Sequence, residues 1–118
     1  MIITNAFSLQ MLDLDTDTEK VITIKPIDLN QVIDMHLAQG LVKGAGIESA
    51  IGHADTAAVL SDLLGFDVPM NRISITLKDN EPIIVAQLVG GRLPEGSTTL
   101  PEGFKFKFLL VHTSPSVN

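Results

Sequence analysis

The chain has 118 residues, 45% of them hydrophobic, and a mean hydropathy of +0.32, which is enough apolar material for one self-sufficient core. It has no cysteine, and its three histidines show no ligand spacing, so disulfides and thiolate sites are excluded and no metal or other cofactor is expected. The formal net charge of −6 and the presence of only two arginines, Arg72 and Arg92, exclude the basic stripe with which a protein grips DNA or long RNA.

The first element is a short strand over residues 1–5. No basic residue precedes its apolar stretch, and no apolar run in the chain reaches membrane-span length, so a soluble cytoplasmic protein with no membrane partner is expected. Asn5-Ala6-Phe7-Ser8 then reads as a turn into a short helix holding Leu9, Met11 and Leu12, with Asn5 and Ser8 suited to its start. The acidic segment 13–19 is a solvated loop. Residues 20–27 are strand-like, with Val21, Ile22, Ile24 and Ile27, and end near Pro26. Asp28 caps a helix whose apolar positions Leu29, Val32, Ile33 and Leu37 recur at helical spacing with His36 on the same stripe, and Gly40 is its expected stop.

Residues 41–45 read as loop, because Gly44 and Gly46 weaken any regular pattern. Strand character resumes over 47–51, and a helix over 55–64 carries Ala57, Leu60, Leu63 and Leu64 on one face before stopping at Gly65. Residues 71–78 alternate cleanly, 79–82 form a turn, and 83–89 are an apolar strand, so the two runs are expected to form a hairpin. Gly90-Gly91 breaks that strand, either as a bulge or loop start or as a hinge for a loop that covers ligand. A Gly/Pro/Thr loop covers 94–103. Phe104 to Phe108 alternates Phe with Lys as a last strand, read as an edge or half-exposed one, and the tail from Thr113 is expected to fray. The fold class is therefore α/β: one domain spanning 1–118, with a mixed central sheet of about five or six strands flanked by helices.

Gly52-His53 separates the third strand from its following helix. A turn of this kind presents backbone N–H groups and the positive end of a helix dipole together, which suits a phosphate. His53 would stand beside that phosphate with a side-chain type able to exchange a proton near neutrality. The competing reading is that a histidine at a helix start caps or packs, just as Asn5 and Ser8 could be caps and Arg72 an exposed ion-pair partner. His36, on its apolar stripe, and His112, at the end of a strand, are read as structural.

Taken together, Asn5-Ala6-Phe7-Ser8, Ile51-Gly52-His53-Ala54-Asp55-Thr56, Asn71-Arg72 and the segment from Gln87 to Glu95 resemble a family of small proteins of archaeal viruses and some phages that act as anti-CRISPR ring nucleases against type III systems. The resemblance implies a homodimer that encloses cyclic tetra-adenylate, the messenger that activates type III effectors, and cuts it without metal into linear di-adenylates. A ribose 2′-OH would attack its own phosphate, leaving a 2′,3′-cyclic phosphate. By the same resemblance His53 is the general acid for the departing 5′ oxygen, Arg92 stabilises charge on the phosphate, and Glu95 orients either His53 or the 2′-OH. Asn5, Ser8, Arg72, Ile75 and Gln87 would contact the ring. Gly90-Gly91 lengthens the last segment by one residue relative to the family pattern, and Pro94 stiffens it. The residues agree with such chemistry, because a substrate-borne nucleophile requires no Ser or Cys from the protein. A two-fold dimer would also present each arginine twice to a four-fold repeated ligand. The alternatives are a non-catalytic module that sequesters or senses a cyclic oligonucleotide and, more distantly, an accessory protein that binds a host protein through its sheet edge.

Overall fold

The computed structural model describes residues 1–14 and 19–116. Five strands, β1 (Ile2–Thr4), β2 (Lys20–Ile27), β3 (Glu48–Ala50), β4 (Ile83–Val89) and β5 (Lys105–Pro115), form one mixed sheet in the order β2-β5-β4-β1-β3. Two helices, α1 (Leu29–Lys43) and α2 (Ala54–Leu64), and a 3₁₀ turn over Leu9–Met11 complete the expected α/β architecture. β1 runs parallel to both β3 and β4, whereas β5 is antiparallel to β4 and to β2. The carboxyl ends of β1, β3 and β4 therefore share one edge, where ligands of open α/β sheets generally bind.

β4 is apolar on both sides over Ile83–Ala86 because the sheet is covered on both sides there, whereas β2 is largely exposed. Ile84 and Ala86 meet the helices in a cluster with Ile3, Val32, Ile51, Leu60 and Phe108. Ile83 and Val85 face the other way, into a smaller cluster with Leu77 and Val111, against which Phe7, Met11, Leu12 and Ile75 pack. Irregular chain, rather than a helix layer, supplies that second cover.

This arrangement corrects the expected hairpin. Residues 71–78 are not a strand of the sheet; β4 already has β1 on one side and β5 on the other, so no pairing edge remains for them. They cross the sheet face as an extended strap that seats Leu77 and, in part, Ile75 against the sheet, while Ile73 stays half exposed. Backbone bonds tie the strap and the turn after it to distant segments: Asn71 N–H donates to the Ile51 carbonyl (2.8 Å), Leu77 N–H to Met11 (2.7 Å) and Asn80 N–H to Thr113 (2.7 Å).

α1 starts as expected, with a capping box in which Asp28 Oδ1 accepts from Gln31 N–H (2.8 Å) and Gln31 Oε1 accepts from Asp28 N–H (2.9 Å). It does not stop at Gly40. The helix runs to Lys43, absorbing residues expected to be loop, and ends at Gly44, whose φ of 73° supplies the left-handed cap. An interior glycine costs about 1 kcal/mol relative to alanine, too little to end a helix that a better cap extends. Leu37 is exposed rather than part of the buried stripe, but His36 is structural as expected: its ring stacks on Phe66 at 3.6 Å between centroids, and its Nδ1 accepts from Ile47 N–H (3.1 Å). A Cβ at Gly46 would collide with that ring.

β5 is internal, so the Phe/Lys segment is half-exposed but not an edge. Lys105 and Lys107 are wet because the strap does not reach their end of the face. The edge strands are β2 and β3, and Lys25 and Pro26 guard β2. The expected fraying at Thr113 does not occur through Ser116: Thr113 is 1% exposed, pairs with Ile22, and donates from Oγ1 to Asp79 Oδ1 at 3.1 Å. Asp79 also holds Lys20 Nζ at 2.8 Å, and this lysine is the main cause that holds its carboxyl below the usual range. The acidic loop lies partly outside the described residues, as does the end of the tail.

Candidate functional site

His53 is the N-cap residue of α2, with extended backbone (φ −134°, ψ 126°), and its carbonyl accepts the first helical bond from Ala57 N–H (3.0 Å). Its side chain makes no capping hydrogen bond and is exposed. The helix start therefore takes its geometry from the His53 backbone and leaves the imidazole free. Buried Thr56, Ala57, Val59 and Leu60 fix the helix beneath it.

Arg72 comes from the strap. Asn71 brackets this point by donating from Nδ2 to the Ser49 carbonyl (2.8 Å) and from its backbone N–H to Ile51. Arg72 then folds back across the turn, with Nε (3.1 Å) and Nη2 (2.9 Å) both donating to the Gly52 carbonyl. This two-pronged grip sets the guanidinium beside His53 and leaves its other N–H donors facing outward.

The third contribution is the loop between β4 and β5. It leaves β4 through Gly90 (φ 122°) and Gly91 (φ 119°), conformations that side chains other than glycine rarely adopt. A Cβ on Gly90 would also lie 2.7 Å from the Gly103 carbonyl oxygen. Arg92 and Glu95 are exposed on this loop, whereas Leu93 between them is buried and anchors it.

These three segments meet around an open cavity of about 630 Å³, lined by His53, Ala54, Asp55, Met70, Arg72, Arg92, Leu93 and Glu95. Of the residues expected to form the site, His53, Arg72, Arg92 and Glu95 are thus brought together. Asn5, Ser8, Ile75 and Gln87 do not line this cavity. Asn5 follows β1 at the same edge of the sheet, and Ser8 caps the 3₁₀ turn by accepting from Gln10 N–H (3.2 Å). Gln87 is an exposed residue of β4 paired with Lys107. Ile75 departs from expectation: it sits on the strap at the amino end of the sheet, lining a separate cavity of about 400 Å³ with Ile2, Leu77 and Ile83. The reason is the strap, which carries residue 75 away from the edge where a hairpin would have kept it.

Sequence reasoning passed over Asp55, Leu93 and Met70. Asp55 lay inside the quoted motif, and its place in the first helical turn beside His53 was the available signal. Leu93 was detectable only as the one apolar residue between two charged ones. The cavity pairs two guanidinium groups with two carboxylates, so it is polar and charge-balanced rather than strongly basic. Among the described residues no group of three or more His, Cys or acidic side chains could hold a metal, and no helix is long and apolar enough to cross a membrane.

The fold and site define an α/β sheet protein whose polar cavity lies at the carboxyl edge of its parallel strands. Residues 1–106 match the STIV B116-like family, and the chain belongs to that family. It is similar to B116 of Sulfolobus turreted icosahedral virus, with a TM-score of 0.71 and 25% identity over 94% of this chain and 97% of B116. It is also 32% identical over 85 residues to uncharacterized protein 26 of Sulfolobus islandicus filamentous virus (isolate Iceland/Hveragerdi), a match spanning 72% of this chain and 66% of that protein, just under two thirds of its length.

Proposed function

We propose that this protein is a metal-independent ring nuclease that opens cyclic tetra-adenylate and so shuts off type III CRISPR defence. The observation that carries the reading is the free imidazole of His53 at a helix N-terminus, sharing one cavity with Arg72, Arg92 and Glu95 from distant parts of the chain. A phosphodiester at the α2 N-terminus would meet backbone N–H groups and two guanidinium groups. The substrate's 2′ oxygen attacks the neighbouring phosphorus, the P–O5′ bond breaks, and the His53 imidazolium gives its proton to O5′. The 2′ proton leaves to Glu95 or to water. Two such cuts release two linear di-adenylates, each with a 2′,3′-cyclic phosphate. A positioned general acid contributes on the order of 10²–10⁴-fold, and a guanidinium poised on the phosphate about 10²–10³-fold.

A homodimer fits this role, because a two-fold axis matches a ring of four identical nucleotides. Met70, which lines the cavity, and Ile73, next to Arg72 in the chain, are about half exposed and offer apolar surface to a second copy. The test is mass spectrometry of cyclic tetra-adenylate incubated in EDTA with the wild type and with His53→Ala. The expected outcome is di-adenylate with a cyclic phosphate end from the wild type alone. Intact ring in both samples, with binding retained, would favour a sequestering module instead.

A further inference from the structure

The loop that delivers Arg92 and Glu95 is secured to the rest of the molecule in an economical way. Its internal bonds, Ser97 N–H to the Pro94 carbonyl (3.1 Å) and Phe104 N–H to Pro101 (3.2 Å), shape the loop but do not dock it. Docking comes from two points: the buried Leu93 side chain, and the Gly96 N–H, which donates to Asp55 Oδ2 at 3.3 Å. Among the described residues this is the hydrogen bond that ties the loop between Gly91 and Gly103 to another element. Gly96 has a φ of +79°, so its amide is turned by a conformation that glycine tolerates best. Glu95 is its immediate neighbour, and Arg92 lies on the far side of Leu93.

Asp55 belongs to the first turn of α2, two residues after His53. It therefore fixes the loop relative to the same helix end that carries the imidazole. We propose that Asp55 is a positioning residue: its carboxylate latches Gly96 and thereby holds Arg92 and Glu95 in register with His53 across the cavity. This rests on the ring-nuclease reading for its catalytic consequence, but the latch itself does not. A carboxylate beside an anion site is otherwise a disadvantage, since it repels phosphate. A structural role in loop docking accounts for its presence there, in addition to the ordinary favourable charge at a helix start.

Asp55→Ala removes both the acceptor and the charge, whereas Asp55→Asn keeps an acceptor oxygen and removes the charge. Two measurements apply to each variant and to the wild type: hydrogen exchange of the Gly96 amide in the free protein, and kcat and KM for cyclic tetra-adenylate. The latch predicts that Asp55→Ala speeds Gly96 exchange by about tenfold and lowers kcat by about tenfold with KM little changed, while Asp55→Asn stays within about twofold of wild type in both. Equal losses in the two variants would assign Asp55 to the helix dipole and overturn the proposal, as would unchanged Gly96 exchange in Asp55→Ala. A wild type that leaves the ring intact would overturn the ring-nuclease reading and the effect on kcat with it. The exchange comparison would still decide whether Asp55 ties down the loop.

Discussion

The two ends of the sheet are built by opposite rules. At the amino end the strap turns into β4 through a cross-tied knot, in which Asp79 holds Lys20 and Thr113 while Asn80 bonds the Thr113 backbone, so charge is used up internally. At the carboxyl edge, His53, Arg92 and Glu95 have no such side-chain partners among the described residues, and Arg72 spends only part of its donor set on Gly52. Polar groups at the first end hold the fold together, whereas those at the second are held in place by backbone and by buried neighbours. Substitutions at the two ends should therefore have separable effects.

The largest expected effect is on activity alone. If the proposed ring-nuclease reading holds, His53→Ala lowers ring cleavage by about 10²–10⁴-fold, while its melting temperature stays near that of the wild type, because the side chain caps nothing. Calorimetry showing a large loss of stability would blur the distinction between the ends. Ile84→Ala, in contrast, removes a fully buried side chain midway between them and should cost about 2–5 kcal/mol in urea unfolding. Asn71→Ala tests the junction: losing the bond to the Ser49 carbonyl should cost about 1 kcal/mol and also weaken substrate binding, as Arg72 loses its bracket.

The smallest effect belongs to the knot. The Asp79 carboxyl is held below its usual range first by the Lys20 hydrogen bond, so its contribution to stability is present above the unfolded-state carboxylate value of about 3.9 and is lost as pH falls through the lower folded value. Asp79→Asn should therefore be slightly less stable than wild type at neutral pH, and the gap in urea midpoint should close in strong acid. Added salt should narrow the gap as well, since the pair is partly exposed. On the proposed reading, Asp79→Asn should leave ring cleavage unchanged when wild type and variant are compared at the same salt and neutral pH, because Asp79 lies at the other end of the sheet from His53.

Much of this was legible in the sequence where local chemistry decides. The Asp28 cap, the Gly65 stop and the β4 boundaries follow from residues next to one another. Alternation over 71–78 suggested a hairpin, but a strap lying on a sheet can seat residues such as Ile75 and Leu77 against it without pairing, and Ile73 stays half exposed. Only the placement of β1 between β3 and β4, a long-range fact, removes the pairing edge. The same strap displaced Ile75 from the site. His53, Arg72, Arg92 and Glu95 were identifiable through the family resemblance, but Asp55 was not, because its role depends on a backbone amide in a remote loop.

The central position of β1 has a consequence for how the chain reaches this structure. Ile3 pairs with Ser49 on one side and Ile84 on the other, so this three-residue strand cannot be seated until most of the chain has been gathered. Parallel pairing between distant segments carries a loop-closure cost before any contact compensates for it, and topologies dominated by such pairing fold slowly. The β2-β5 and β4-β5 ladders can zip without β1, whereas the edge bearing His53 takes shape only when β1 closes the sheet. Competence at that edge should appear as the last and slowest phase of refolding.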